Sequence, residues 1–113
     1  MPFVDTLGAL LATLTTGTEI PNWSVASGLR GNIFHIVSVS LTQVIVETPN
    51  ARHLQKIPMK DFAAVYELWS GYIEGTVTRS KIVNVTRYSK YIISIYHWLE
   101  TEVRWRVYPG YNF

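Results

Sequence analysis

Apolar and polar positions alternate along this chain in several distinct rhythms. Phe3, Leu7, Leu10, Leu11 and Leu14 recur at helical spacing on one stripe. Pro2 suits a first helical position and Gly17 a stop after the last apolar residue, so the spacing predicts a helix over about residues 3–15. Thr18–Gly31 carries Pro21, Asn22, Ser24, Ser27, Gly28 and Gly31, the composition of a loop. Trp23 within it is read as an anchor to the core, because a ring that large gains most from plain burial. The period then changes. Ile33–Val39 is β-branched and aromatic, and Val44–Glu47 follows after a short connection, which predicts a hairpin. Thr48, Pro49 and Asn50 make a further turn. Arg52–Ile57 predicts a third strand at a sheet edge, ended by Pro58.

The clearest stripe is Phe62, Val65, Tyr66, Trp69, Tyr72 and Ile73, which predicts a helix over about 60–74. Asp61 favours its N-terminal end and Gly75 terminates it. Thr78–Val83 reads as a short helix capped by Thr78, and Asn84–Tyr88 as a turn. Ser89 reads as the cap of another helix, with Tyr91, Ile92, Ile95 and Leu99 on one stripe. Val103, Trp105 and Val107 alternate with Arg104, Arg106 and Tyr108, which predicts a terminal strand stopped by Pro109 and Gly110. No repeat, linker or low-complexity tract interrupts the pattern. The expectation is one α+β domain over residues 1–113, in which an antiparallel sheet of three to four strands packs on the long helix 60–74, with additional helices.

Composition changes this picture in two places. With 113 residues, the chain is long enough to bury a core of its own. Charged residues make up only 16% of it, below the usual share of about 25%. A surface short of charge points to association with itself or a partner. Cysteine is absent, which excludes disulfides, thiolate nucleophiles and thiolate metal sites, and fits a cytoplasmic location. No stretch approaches the roughly 20 apolar residues of a membrane span. The apolar N-terminus is not read as a signal peptide, since Asp5 stands where positive charge belongs and the pattern is amphipathic.

Catalytic constellations are hard to find. His35, His53 and His97 are the only imidazoles, and none is spaced with another ligand as in a metal helix. There is no phosphate-cradling glycine loop, no G-x-S-x-G and no H-E-x-x-H. The expectation is therefore a binding protein rather than an enzyme, with no catalytic residue, metal or cofactor assigned. Asn22 and Asn84 fit the N-x-[ST] acceptor pattern and are taken as chance matches.

Charge is uneven although its net value is only +2. Between Glu74 and Glu100 there is no acid, while Arg79, Lys81, Arg87 and Lys90 stand among Thr78, Ser80, Asn84, Thr86 and Ser89. Such a set supplies both charge and directed donors to phosphate oxygens. The helix–turn–helix arrangement of about residues 78–100 is also one that can lay a helix in a major groove. Nucleic-acid contact through these four residues is thus one alternative; the same composition also describes an ordinary solvated face. Arg104, Trp105, Arg106, Tyr108 and Tyr111 form a second candidate surface, read as an edge that pairs with another copy of the chain. A third candidate is a small-molecule or enzymatic pocket between the long helix and the sheet, lined by Phe34, His35, Tyr66, Trp69 and Tyr72.

The run IPMKDFAAVYELWSGYIEG, followed by TVTRSKI, TRYSKYIISI and HWLE, resembles a module of uncharacterised bacterial proteins, some near restriction or mobile-element genes. It covers about residues 57–100. The resemblance implies a bacterial accessory protein and carries no functional residue with it.

Overall fold

A computed structural model of the chain describes residues 3–49 and 54–107. Four strands follow one another in space as they do in sequence: β1 (Glu19–Ser24), β2 (Gly28–Val39), β3 (Gln43–Glu47) and β4 (Leu54–Pro58). All three pairings are antiparallel, which makes a plain meander with β1 and β4 at its edges. Helix α1 (Phe3–Thr13) precedes the sheet, and α2 (Met59–Glu74), α3 (Arg79–Val85) and α4 (Ser89–Trp98) follow it. The fold is α+β, as the alternating rhythms predict.

Side-chain alternation sets which face of the sheet is covered. Ile20, Phe34, Ile36, Val44, Val46 and Ile57 point inward and are buried. The register carries Glu19, His35, Glu47 and Leu54 across the opposite face in one row. Helix α4 lies against β1, and α2 packs on α3, α4 and β4. One cluster of buried apolar side chains joins sheet and helices. Its centre is aromatic: Trp69 of α2 meets Tyr96 of α4 edge-on at 5.4 Å, and Phe62 meets Tyr96 at 5.7 Å. The Tyr96 hydroxyl donates to the Phe62 carbonyl, so its one polar atom is satisfied inside the core. Burial also raises the Tyr96 phenol well above its ordinary pKa.

Local chemistry fixes the ends of the elements. Pro58 leaves β4 in extended geometry and stands just before α2, where its missing N–H is no loss. Gly75 closes α2 in the left-handed region at φ 89°, its N–H bonded to the Gly71 carbonyl. Thr78 caps α3 by accepting from the Lys81 amide, as its place in the sequence predicts. Thr86, between α3 and α4, donates to Asp61 of α2 at 2.9 Å and accepts from the Tyr88 amide. The α3–α4 turn is thereby tied to the long helix.

Three expectations need correction. The segment read as a loop over Thr18–Gly31 contains β1 and the start of β2. Polar turn-formers are tolerated there because β1 is an edge strand whose pairing is irregular between Pro21 and Trp23. Ser89 does not cap α4; Tyr88 precedes the helix with no side-chain cap, and Ser89 is buried. The terminal strand over 103–107 is not formed. Helix α4 instead widens into a π-helical turn, Leu99–Val103, which ends on Arg104 in the left-handed region at φ 64°. The Trp105 amide then returns to the Leu99 carbonyl at 2.8 Å.

Candidate functional site

The irregularity in β1 shapes the surface beside it. Where the ladder slips between Pro21 and Trp23, the Trp23 amide turns to α4 and donates to Ser94 Oγ at 3.1 Å. Ser94 in turn donates to the Lys90 carbonyl at 2.7 Å. Asn22, the residue at the slip, reaches across to β2 and donates through Nδ2 to the Asn32 carbonyl at 3.1 Å. A cleft opens between this part of the sheet, the exit of β3, and the facing ends of α3 and α4.

It has two adjoining hollows. One, of about 200 Å³, is lined by Asn22, Trp23, Ser24, Asn32, Arg79 and Lys90. The other, of about 400 Å³, shares Asn22, Asn32 and Lys90 and adds Gly31, Ile33, Phe34, Thr48, Pro49 and Tyr91. The first is the more cationic end, since Arg79 belongs to it alone. The second has mixed walls, apolar at Ile33, Phe34, Pro49 and Tyr91 and polar at Asn22, Asn32, Thr48 and Lys90, with Phe34 and Tyr91 set edge to face at 5.2 Å.

Three polar atoms in these walls are unmet. Asn22 Oδ1, Thr48 Oγ1 and Arg79 Nε are buried with no hydrogen-bond partner. An unpartnered buried polar atom costs about 1–3 kcal/mol, and native proteins hold few of them. The orientation of the Asn22 amide is fixed by its own network, because only Nδ2 can face the Asn32 carbonyl. Its oxygen therefore asks for a donor. Arg79 places Nη2 at 3.5 Å from Ser89 Oγ, while its Nε asks for an acceptor. Lys90 is exposed, borders both hollows, and holds its ammonium 5.0 Å from the Tyr91 ring.

Of the four basic residues singled out by sequence, the cleft gathers Arg79 and Lys90. Lys81 is exposed on α3, and Arg87 is exposed with its guanidinium 5.2 Å from the Tyr88 ring. Helix α4 itself buries every residue from Tyr91 to Tyr96. Those six residues offer no exposed side chain, while Lys90 before them is exposed and His97 and Trp98 after them are half-buried.

The proposed pocket set is not brought together. Tyr66, Trp69, Tyr72 and Phe34 are packed in the core, whereas His35 lies on the opposite sheet face, 3.4 Å from Glu19. Strand alternation alone separates Phe34 from His35. Tyr72 spends its hydroxyl on the Val25 amide at 3.1 Å, pinning the β1–β2 turn. Of the candidate self-pairing edge, Arg104 and Arg106 are exposed, while Trp105 is half-buried against its own chain, its Nε1 donating to Thr6 Oγ1 of α1 at 3.3 Å. Tyr108 and Tyr111 lie outside the described residues, as does His53. Among the described residues, no group of three side chains is placed to hold a metal ion, and no helix is long and apolar enough to cross a membrane.

Comparison with protein-family models, curated proteins and solved structures gives no match in any of the three. The resemblance seen in residues 57–100 thus gains no named family, and the cleft has to be read from its own chemistry.

Two other features lie at the far end of α4. His97 stacks on Trp23 with centroids 4.0 Å apart and planes 9° from parallel, and burial lowers its pKa against the smaller raising effect of Glu102. Trp23 is thus an anchor, as its size predicts, but from a strand. Glu100 accepts from Trp69 Nε1 and from the Val107 amide, both at 3.0 Å and both on Oε2. Burial pushes its carboxyl up to about 7, against the lowering effect of those two donors and of Arg106. With Trp69 and Val107 as its partners, Glu100 fastens structure rather than facing the cleft.

Sequence reasoning missed Asn22, Asn32 and Thr48. Their residue types gave only the signal of turns. What makes them site residues is the slip in β1 and the unmet atoms it leaves, and neither has a signature along the chain.

Proposed function

We propose that this chain is a non-catalytic binding protein that seats a small anionic organic ligand in the cleft between β1, β2 and the α3–α4 ends. One observation carries the reading: Asn22, Thr48 and Arg79, each with an unpartnered buried polar atom, line one cleft together with the exposed Lys90. An acceptor on the ligand meets Arg79 and Lys90, and a charge-assisted bond of this kind is the stronger sort. Among the described residues no acid lines either hollow, so an anion meets no opposing charge from them.

Calorimetric titration with a panel of small phosphate monoesters and carboxylates tests this. At least one is expected to bind with a Kd below about 1 mM. Arg79→Gln is expected to weaken that ligand by about tenfold or more, the loss of a bond to a charged group. Binding of every anion at equal strength to wild type and Arg79→Gln would remove the reading.

A second reading is contact with nucleic acid through Arg79, Lys81, Arg87 and Lys90. It is favoured by the exposure of Lys81, Arg87 and Lys90 along one acid-free stretch of chain. Its mark is a gel shift that fades steeply with added salt, because phosphate contacts release counterions. No shift at low salt on single or double strands ends it.

A further inference from the structure

Resting on that reading of the cleft, we infer that its ligand is a 5′-phosphorylated nucleoside, taken either free or as the phosphorylated end of a single strand. The polar demands of the walls define the class. Arg79 Nε and the Lys90 ammonium call for an anion at the narrow, cationic hollow. Asn22 Oδ1 calls for an N–H or O–H donor, because its amide is fixed by the bond from Nδ2 to Asn32. A simple carboxylate with no donor of its own leaves that oxygen unmet, and inorganic phosphate is too short to reach it and the rest of the cleft together. The ligand must therefore carry an anion and a separate donor. Thr48 Oγ1, in the wider hollow, extends the demand away from the cations, so the ligand must also have length.

The wider hollow supplies the rest. Its volume of about 400 Å³ and its mixed lining, Phe34, Tyr91 and Pro49 beside Asn32 and Thr48, suit a flat ring with polar groups at its edge. A nucleobase offers such a ring with N–H groups at its edge, and a 5′-phosphate one sugar away reaches Arg79 and Lys90. Lys90, which borders both hollows, then stands between base and phosphate, and Asn22 Oδ1 accepts from an N–H of the base.

The test compares wild-type binding of adenosine, cytidine, guanosine and uridine 5′-monophosphates, the corresponding nucleosides, ribose 5-phosphate and inorganic phosphate. At least one nucleotide is expected to bind tenfold or more tightly than both ribose 5-phosphate and its own nucleoside. Asn22→Ala is expected to shrink the advantage over ribose 5-phosphate to about threefold or less, and Arg79→Gln the advantage over the nucleoside. Circular dichroism of each variant reports whether the fold is intact; if Asn22→Ala fails to fold, Thr48→Val is used in its place. Ribose 5-phosphate binding as tightly as every nucleotide, yet weakened by Arg79→Gln, overturns the nucleotide and leaves the anion cleft standing. No binding by any of these compounds or by the wider anion panel overturns both. A 5′-phosphorylated tetranucleotide distinguishes the sources: tenfold tighter binding than the mononucleotide assigns the strand end, and equal or weaker binding assigns the free nucleotide.

Discussion

Trp69→Ala is expected to remove most of the stability of this protein. The side chain is wholly buried, and its ring touches rings from three other places: Trp23 of β1 at 6.5 Å, Tyr72 of α2 at 5.8 Å and Tyr96 of α4 at 5.4 Å. Cutting a buried tryptophan to alanine costs about 3–5 kcal/mol through lost transfer energy and the cavity left behind. Losing the indole N–H adds about 1–3 kcal/mol, because Glu100 then lacks one of its two donors. A domain of this kind has roughly 5–15 kcal/mol to lose. Urea unfolding followed by circular dichroism is expected to show the midpoint collapsing toward zero denaturant, with near-ultraviolet signal reduced even in buffer. Trp69→Phe separates the two contributions. It keeps a ring in the core and removes the donor, so about 2–3 kcal/mol is expected. An alanine variant within about 1 kcal/mol of wild type would show that the sheet and helices are not centred on this ring.

That centre was legible in the sequence because periodicity reports burial directly. Phe62, Val65, Tyr66, Trp69 and Tyr72 stand three or four residues apart, and all are buried on the face α2 turns to the core. Gly75 was legible for a different reason, since a helix end in the left-handed region favours the residue without a Cβ. The terminal segment shows where periodicity misleads. Arg104 and Arg106 are exposed while Trp105 is half-buried and Val107 buried, so the in–out alternation is real. It arises without a sheet. Val107 is held by its amide on Glu100 and by its carbonyl on Thr6, and Trp105 by its indole on the same threonine. Alternation says which residues face inward; only the presence of a free strand edge decides whether they form a ladder.

The cleft was legible by half. Arg79 and Lys90 stood out as cations in an acid-free stretch, because charge is a property of the residue itself. Asn22 and Thr48 are functional candidates only through what they lack. Each is a turn-former whose side chain ordinarily finds a backbone partner nearby. Asn22 spends its donor on β2 and keeps its acceptor, because the slip in β1 sets it across from Asn32. That outcome depends on register between two strands, and a single unaligned sequence does not encode register in any local pattern.

Glu100→Gln is expected to stabilise the protein above neutral pH and to leave it nearly unaffected in acid. The carboxyl is raised from an ordinary 4.5 to about 7, chiefly by burial. Below about pH 4 it is protonated in both folded and unfolded chains and contributes nothing to pH dependence. Between 4.5 and 7 the unfolded chain releases the proton while the folded chain keeps it, so the native state binds more protons and stability falls as pH rises. Above 7 the penalty is complete. Undiscounted, it would slightly exceed about 3 kcal/mol; with water reaching part of the group, about 1–2 kcal/mol is the realistic size. Glutamine offers a carbonyl oxygen in place of Oε2, the atom that takes both the Trp69 and Val107 donors, so the fastening can survive the substitution. Thermal unfolding is expected to show the variant about 5–10 °C above wild type at pH 8 and within about 2 °C of it at pH 4. An equal shift at both pH values would mean that packing, and not the proton, distinguishes the two side chains. A variant less stable than wild type at pH 8 would mean that the two donors need a full negative charge, and that the ionised carboxylate is worth more to this fold than its burial costs.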